Sequence, residues 1–198
     1  VDSEVLAQQC IEAIGIDKNT DLTKLDLKRW TEADVILLAY GNSFLDGNQA
    51  PLKVLGEILD VYFSDFCSIL HVLPFFPSSS DDGFSVIDHK EVDPLLGEWS
   101  DIESLSLRFK LMADVVLNHV SSESEWFTQF QLDQEPGNRY IKIIKPGDDL
   151  TKVVRPRSQS LERQVDTTTG VKSVWCTFSE DQVDLDFSNP DVFLEILK

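Results

Sequence analysis

Three short apolar runs constrain this chain more than anything else in it: ADVILLAYG (33–41), CSILHVLPF (67–75) and KLMADVVLNHV (110–120). Each is near-continuous rather than alternating, the pattern of a strand buried on both faces of a parallel sheet. Helical spacing fills the gaps between them. Pro51 can open the first helix, with Leu52, Leu55, Ile58, Leu59 and Tyr62 on one face. Ser100 and Glu103 have capping-box spacing, and Ile102, Leu105 and Phe109 recur at helical intervals behind them. Strand, helix, strand, helix, strand predicts right-handed βαβ units and an α/β fold. A (β/α)8 barrel and a doubly wound sheet both satisfy that order. No GxGxxG follows the first run, which weakens a dinucleotide site.

The flanks are organised differently. Residues 2–14 carry Val5, Leu6, Cys10, Ala13 and Ile14 on one helical face, with Gly15 suited to the C-terminal cap. A polar stretch then runs to Trp30. Beyond residue 120 the rhythm breaks: Pro136-Gly137 and Pro146-Gly147 mark turns, and YIKII and KSVWCTF are short strand-like pieces. These features predict a small irregular subdomain over 121–186, inserted after the third strand. Asn189-Pro190 then begins a helix with Phe193, Ile196 and Leu197 on one face.

Composition narrows the partners. With 198 residues, 42% of them hydrophobic, the chain can bury a sizeable core. Its formal net charge of -18 repels phosphate backbones and anionic lipid, so neither nucleic acid nor a membrane surface is expected as a partner. No run approaches the roughly 18–20 apolar residues of a membrane span, and VDSEVLAQQC does not read as a signal peptide. Cys10, Cys67 and Cys176 are odd in number and lack paired metal spacing; small buried thiols in a reducing cytoplasm are the expectation.

In parallel α/β folds, ligand chemistry gathers on the loops beyond the strands' C-terminal ends. Sorted by that rule, the second strand delivers Asp81, Asp82, Gly83 and Phe84, and the third Asp114, Asn118 and His119, side by side on one expected rim. Carboxylates bonding hydroxyls and a ring stacking on a pyranose face suit a carbohydrate. From residue type alone, Asp81 and Asp82 equally suit a turn, His119 a satisfied structural histidine, and Phe84 a plug in the barrel mouth.

Linked motifs go further. DVVLNH (114–119) resembles the first conserved region of the α-amylase superfamily, glycoside hydrolase family 13, and QVDLD (182–186) the short segment near the end of that family's inserted domain. LPFFPSSSDDGFSVIDHKEVDPLLGEW (73–99), VVRPR (153–157) and WCTFSEDQVDLDF (175–187) are similar to the family's sucrose phosphorylase and glucosylglycerate phosphorylase subfamily. The resemblance spans residues 33–198 in family order. It implies the N-terminal part of a (β/α)8 TIM barrel, about three β/α units, with an inserted B domain after strand 3. On that reading 1–31 is a helical extension, 32–120 the first three barrel strands, 121–186 the B domain, and 187–198 the start of the next barrel helix.

The resemblance also implies roles. Asp81 resembles the carboxylate that grips the glucosyl 4-hydroxyl, Phe84 the platform under the ring, and His119 the histidine at the 6-hydroxyl that steadies oxocarbenium charge. Phe178 and Gln182 resemble residues lining the donor–acceptor junction, and Arg157 matches an acceptor-side arginine that could receive phosphate or an acidic acceptor. Asp114 and Asn118 are expected as supports. Many relatives use the asparagine equivalent to Asn118 as a calcium ligand; this subfamily generally lacks the ion, so neither metal nor cofactor is expected, with inorganic phosphate as co-substrate. The implied reaction is glucosyl transfer from a small-molecule α-glucoside to phosphate, giving glucose 1-phosphate. Sucrose is the default donor. Glucosylglycerate is the rival, favoured by Val154 where sucrose enzymes often have tyrosine and by the arginines flanking Pro156. Plain hydrolysis or transglycosylation, and a non-catalytic remnant, are the alternative readings. The nucleophilic aspartate and acid/base glutamate belong to strands four and five of the family, so no catalytic residue is expected in this chain, which alone is expected to be inactive and poorly stable.

Overall fold

The apolar runs become three parallel strands: β1 (Ile36–Ala39), β2 (Ile69–Val72) and β3 (Lys110–Ala113), ordered β1-β2-β3. Ile36 pairs with Ile69 and Ile69 with Lys110, and the register continues unbroken to Ala39, Val72 and Ala113. This computed structural model describes residues 2–15, 31–155 and 158–198. Its contacts divide the chain into one unit over Arg29–Val116 and another that joins Leu117–Lys198 to the N-terminal residues.

In the sheet unit, helix α2 (Pro51–Tyr62) starts where Pro51 supplies a first-turn residue with no N–H to leave unpaired. It buries Leu52, Leu55 and Leu59 completely against Leu70, Val72 and Phe75. Truncating any one of these leucines to alanine would cost about 2–5 kcal/mol. Tyr62, expected on that face, is exposed; Val54 and Gly56 are buried instead. Gly56 lets α2 approach helix α3 (Trp99–Ser106), because a Cβ there would stand 3.1 Å from Leu105 Cδ2. The α3 cap also differs from expectation. The box is formed by Glu98 and Asp101, whose carboxylate takes the Glu98 N–H at 3.0 Å, and Ser100 lies already inside the helix.

Two expectations about the strands need correction. Leu37 and Ala39 pack on the helix side, while Ile36, Leu38 and Met112 are exposed on the other, so only one face of the sheet is covered. The run 110–120 is not one strand: β3 ends at Ala113, and His119–Ser121 forms a separate strand, β4, in the second unit.

In that second unit β4 pairs antiparallel with β7 (Gln182–Asp184), and β5 (Glu162–Thr167) with β6 (Gly170–Trp175). Single bridges, Ile141 to Leu185 and Ile143 to Val174, link the two pairs through the intervening chain. Helix α4 (Glu125–Gln131), capped by Ser124, buries Phe127 and Phe130 in the same core as Val165, Val174, Cys176 and Val183. Helix α5 (Pro190–Leu197) starts at Pro190 with the Asn189 side chain accepting the Asp191 N–H, and buries Val192 rather than the expected Phe193. Helix α1 (Ser3–Ala13) lies against α5 and buries no side chain completely. The rest of the expected N-terminal extension, 16–30, lies outside the described residues.

Candidate functional site

Residues 77–87 fold into a narrow hairpin. Ser78 and Val86 form an antiparallel bridge, Ile87 donates to the Pro77 carbonyl, and the Ser79 and Ser85 hydroxyls meet at 3.1 Å. The tip, Asp81–Gly83, turns through three consecutive positive φ angles, 56°, 51° and 99°. Aspartate tolerates this region better than most side chains, at a cost of order 1–3 kcal/mol per strained residue. Gly83 has no substitute, since a Cβ would sit 2.8 Å from the Pro74 carbonyl oxygen. The result presents Asp81 and Asp82 exposed and Phe84 half-buried, with the Phe84 N–H closing the turn on the Asp81 carbonyl. A cleft of about 350 Å³ beside the hairpin is lined by Tyr40, Asn42, Phe76, Ser78, Asp82 and Asp93 among others. Asp82 borders it; Asp81 and Phe84 do not.

The chain leaving β3 is held in the same unit by two imidazoles. His71 Nε2 lies 2.9 Å from Asp114 Oδ2, and His89 Nε2 lies 3.1 Å from the Val116 carbonyl oxygen. Asp114 is thus a strand-end support.

The second unit groups three of the expected residues. His119 and Gln182 are buried on β4 and β7, and the Phe178 ring stands 5.1 Å from the His119 ring at 55°. Register places His119 opposite Asp184 and Ser121 opposite Gln182. Asp184 accepts both the amide and the hydroxyl of Thr177, the residue before Phe178. The Ser179 hydroxyl donates to Gln182 Oε1 at 2.9 Å, and that of Ser122 to Asp181 Oδ1 at 2.7 Å. A buried carboxylate and two serines therefore fix the 177–182 turn. Sequence reasoning missed these supports; the TF-SEDQ-D spacing was their only signal. Asn118 contributes its carbonyl to Leu185. Arg155 reaches the Thr177 carbonyl at 3.3 Å, and Arg157 lies outside the described residues.

Electrostatics around this turn are local. Burial opposes ionisation of Asp186, yet the Ser188 hydroxyl and Lys142 ammonium outweigh it and hold the carboxyl below its usual range. Burial pushes the Cys176 thiol up to about 12. Among the described residues no group of three potential ligands could hold a metal ion, and no helix is long and apolar enough to cross a membrane.

Parallel β/α units in the order β1-β2-β3, with a carboxylate-bearing loop after the second strand, fit the opening part of a (β/α)8 catalytic domain. Within that class the chain belongs to the α-amylase family: residues 54–198 match the model for the alpha amylase catalytic domain. It is 45% identical over 164 residues to the glucosylglycerate phosphorylase of Spirochaeta thermophila, an alignment covering 83% of this chain and 28% of that protein. It is 31% identical over 156 residues to the sucrose phosphorylase of Streptococcus mutans, covering 73% and 32%. The crystal structure of sucrose 6F-phosphate phosphorylase from Thermoanaerobacter thermosaccharolyticum superposes with a TM-score of 0.74 at 31% identity, over 85% of this chain and 37% of that one. The chain thus spans 28–37% of the length of these relatives. Its three-stranded parallel sheet is the first part of their barrel architecture.

Proposed function

We propose that these residues form the glucosyl-binding part of a retaining α-glucoside phosphorylase whose preferred donor is glucosylglycerate. The observation that carries the reading is the fixed group of His119, Phe178 and Gln182: an imidazole, an aromatic face and a buried amide, braced by Asp184 and Ser179. Such a set suits a neutral polyhydroxylated ring. Retaining chemistry needs two carboxyl groups roughly 5–5.5 Å apart, which strands four and five supply in the family. Phosphate then attacks the glucosyl-enzyme in the second displacement and leaves as glucose 1-phosphate. Arg155 and Arg157 suit an anionic acceptor, phosphate or glycerate. The higher identity to glucosylglycerate phosphorylases, 45% against 31% for a sucrose phosphorylase, supports glycerate over fructose as leaving group.

The test is incubation of the full-length protein with phosphate and either glucosylglycerate or sucrose, reading glucose 1-phosphate. Glucosylglycerate is expected to react at least about tenfold faster, a transition-state difference near 1.4 kcal/mol. Faster reaction with sucrose overturns the donor assignment. Equal glucose release with and without phosphate overturns phosphorolysis itself.

A further inference from the structure

The turn carrying Phe178 and Gln182 is tied to β7 through Asp184 and to Ser122, beside β4, through Asp181. A third tie comes from β5. Arg163 Nη1 donates to the Glu180 carbonyl at 2.6 Å, and the Cys176 thiol faces the same oxygen at 3.8 Å. Both sides of this contact lie in the Leu117–Lys198 unit, as His119 does. We propose that Arg163 is a positioning residue, which fixes the 177–182 turn and so sets Phe178 and Gln182 against the sugar. This rests on the phosphorylase reading above.

Register and ring contacts carry the case. Arg163 pairs with Val174 and Val165 with Lys172, so these four side chains share one face of the β5–β6 hairpin. Val165 and Val174 are buried there with Phe127 and Phe130 of α4. Each ring carries one cation: the Arg163 guanidinium stands 5.3 Å from the Phe127 centroid, and the Lys172 ammonium 5.2 Å from that of Phe130. As cations over α4 the two residues are equivalent, and they differ in what else they reach. Lys172 Nζ lies 3.6 Å from Asp133, just past the end of α4. Arg163 instead spends a donor on the turn. A lysine would serve the ring as well; the guanidinium fork is what lets one residue cover Phe127 and reach Glu180 at once. Glu180 stands midway between Phe178 and Gln182, so one charge-assisted bond bears on both.

The matched cations supply the controls. In the full-length protein, Arg163→Lys keeps a charge for Phe127 but falls short of the Glu180 carbonyl. Arg163→Met removes both contacts, and Lys172→Met removes a ring cation alone. Well below every thermal midpoint, Arg163→Met is expected to lower kcat/KM at least about tenfold and Arg163→Lys at least about threefold, with Lys172→Met within about twofold of wild type. In a Phe178→Ala background Arg163→Lys is expected to cost a smaller factor, because the bond acts through the turn. Full activity in Arg163→Lys, equal losses in Arg163→Met and Lys172→Met, or the same factor in both backgrounds overturns the proposal. If Arg163→Met is too unstable to assay, Arg163→Lys and its double variant decide. If the wild type forms no glucose 1-phosphate from either donor, it is the phosphorylase reading that fails. The anchor is then read from hydrogen exchange at the Thr177 and Gln182 amides, which bond Asp184 and the Ser179 carbonyl. Both are expected to exchange at least about fivefold faster in Arg163→Lys and to be unchanged in Lys172→Met. Equal rates in wild type and Arg163→Lys sink it.

Discussion

Asp184 stands directly across from His119 in the antiparallel register of β4 and β7, and the same carboxylate holds Thr177 by its amide and its hydroxyl. One buried acid thus ties the strand carrying the histidine to the turn carrying Phe178. Removing its acceptors while leaving Thr177 in place exposes the cost of an unsatisfied buried group, about 1–3 kcal/mol. Asp184→Ala in the full-length protein is expected to lower the thermal midpoint accordingly and to reduce kcat/KM. Thr177→Val, which deletes one bond and keeps the shape, should do the same to a smaller degree, by about 1 kcal/mol. Thermal melts beside phosphorolysis rates check both; a Thr177→Val effect exceeding that of Asp184→Ala contradicts the arrangement.

The hairpin makes a sharper demand. Gly83 combines φ +99° with a Cβ position 2.8 Å from a backbone oxygen, so Gly83→Ala must shift the tip rather than a flexible side chain. We expect it to cost about 1–3 kcal/mol and to reduce activity strongly. Asp82, at φ 51° and ψ 39°, should tolerate Asn or Gly far better than Val. If Asp81 grips the sugar, Asp81→Ala in the full-length enzyme costs much more activity than Asp82→Ala. The cleft beside Asp82 makes this a real contest, because that cleft excludes Asp81. The reverse order would transfer the binding role to Asp82.

How far the sequence could be read depended on how closely the apolar runs coincide with the strands. The parallel order β1-β2-β3 was legible because each run is mostly apolar and the runs are separated by helical spacing. The same pattern hid the break at Asp114: Val115, Val116 and Leu117 continue the apolar run, yet Val115 and Leu117 face solvent and His119 joins another sheet. β5 was invisible because ERQVDT buries only Val165. The α3 cap was misplaced because Glu98 is not a favoured N-cap type, whereas Ser100-x-x-Glu103 fits the pattern perfectly one position inside the helix. At the site, residue types pointed to His119, Phe178 and Gln182 through the family motifs alone. Their braces, Asp184 with Thr177 and Ser179 with Gln182, depend on a turn geometry that no periodicity encodes.

Lys142 and Asp186 give an acid-side prediction. Asp186 titrates below its usual range when folded, so its contribution is present above the unfolded value near 3.9 and is lost as pH falls through the folded one. Lys142→Met removes the partner 3.0 Å away and should shrink that contribution. Urea midpoints measured from pH 6 down to about pH 2 should therefore fall less steeply on the acid side in the variant. Identical acid limbs in the two proteins would mean the ammonium does not govern this carboxylate.

Cys176 predicts the opposite limb. Its side chain is fully buried beside Val174 and Val183, and burial lifts the thiol from near 9 to about 12. A raised folded value stabilises the fold at pH below the unfolded one, and that stability drains away as pH climbs from about 9 toward 12. Cys176→Ser should flatten this alkaline loss while lowering stability near neutrality, since a hydroxyl in that apolar site gains nothing from titration. Thiol chemistry offers a second reading. A reagent must reach the sulfur, so the half-exposed Cys10 should be modified rapidly, and the buried Cys176 only when the unit opens. Mass spectrometry of a briefly alkylated native sample should find label on Cys10 and none on Cys176, with full labelling in urea. Label on native Cys176 at a rate close to that of Cys10 would show the unit opening far more freely than its packed phenylalanine and valine core implies.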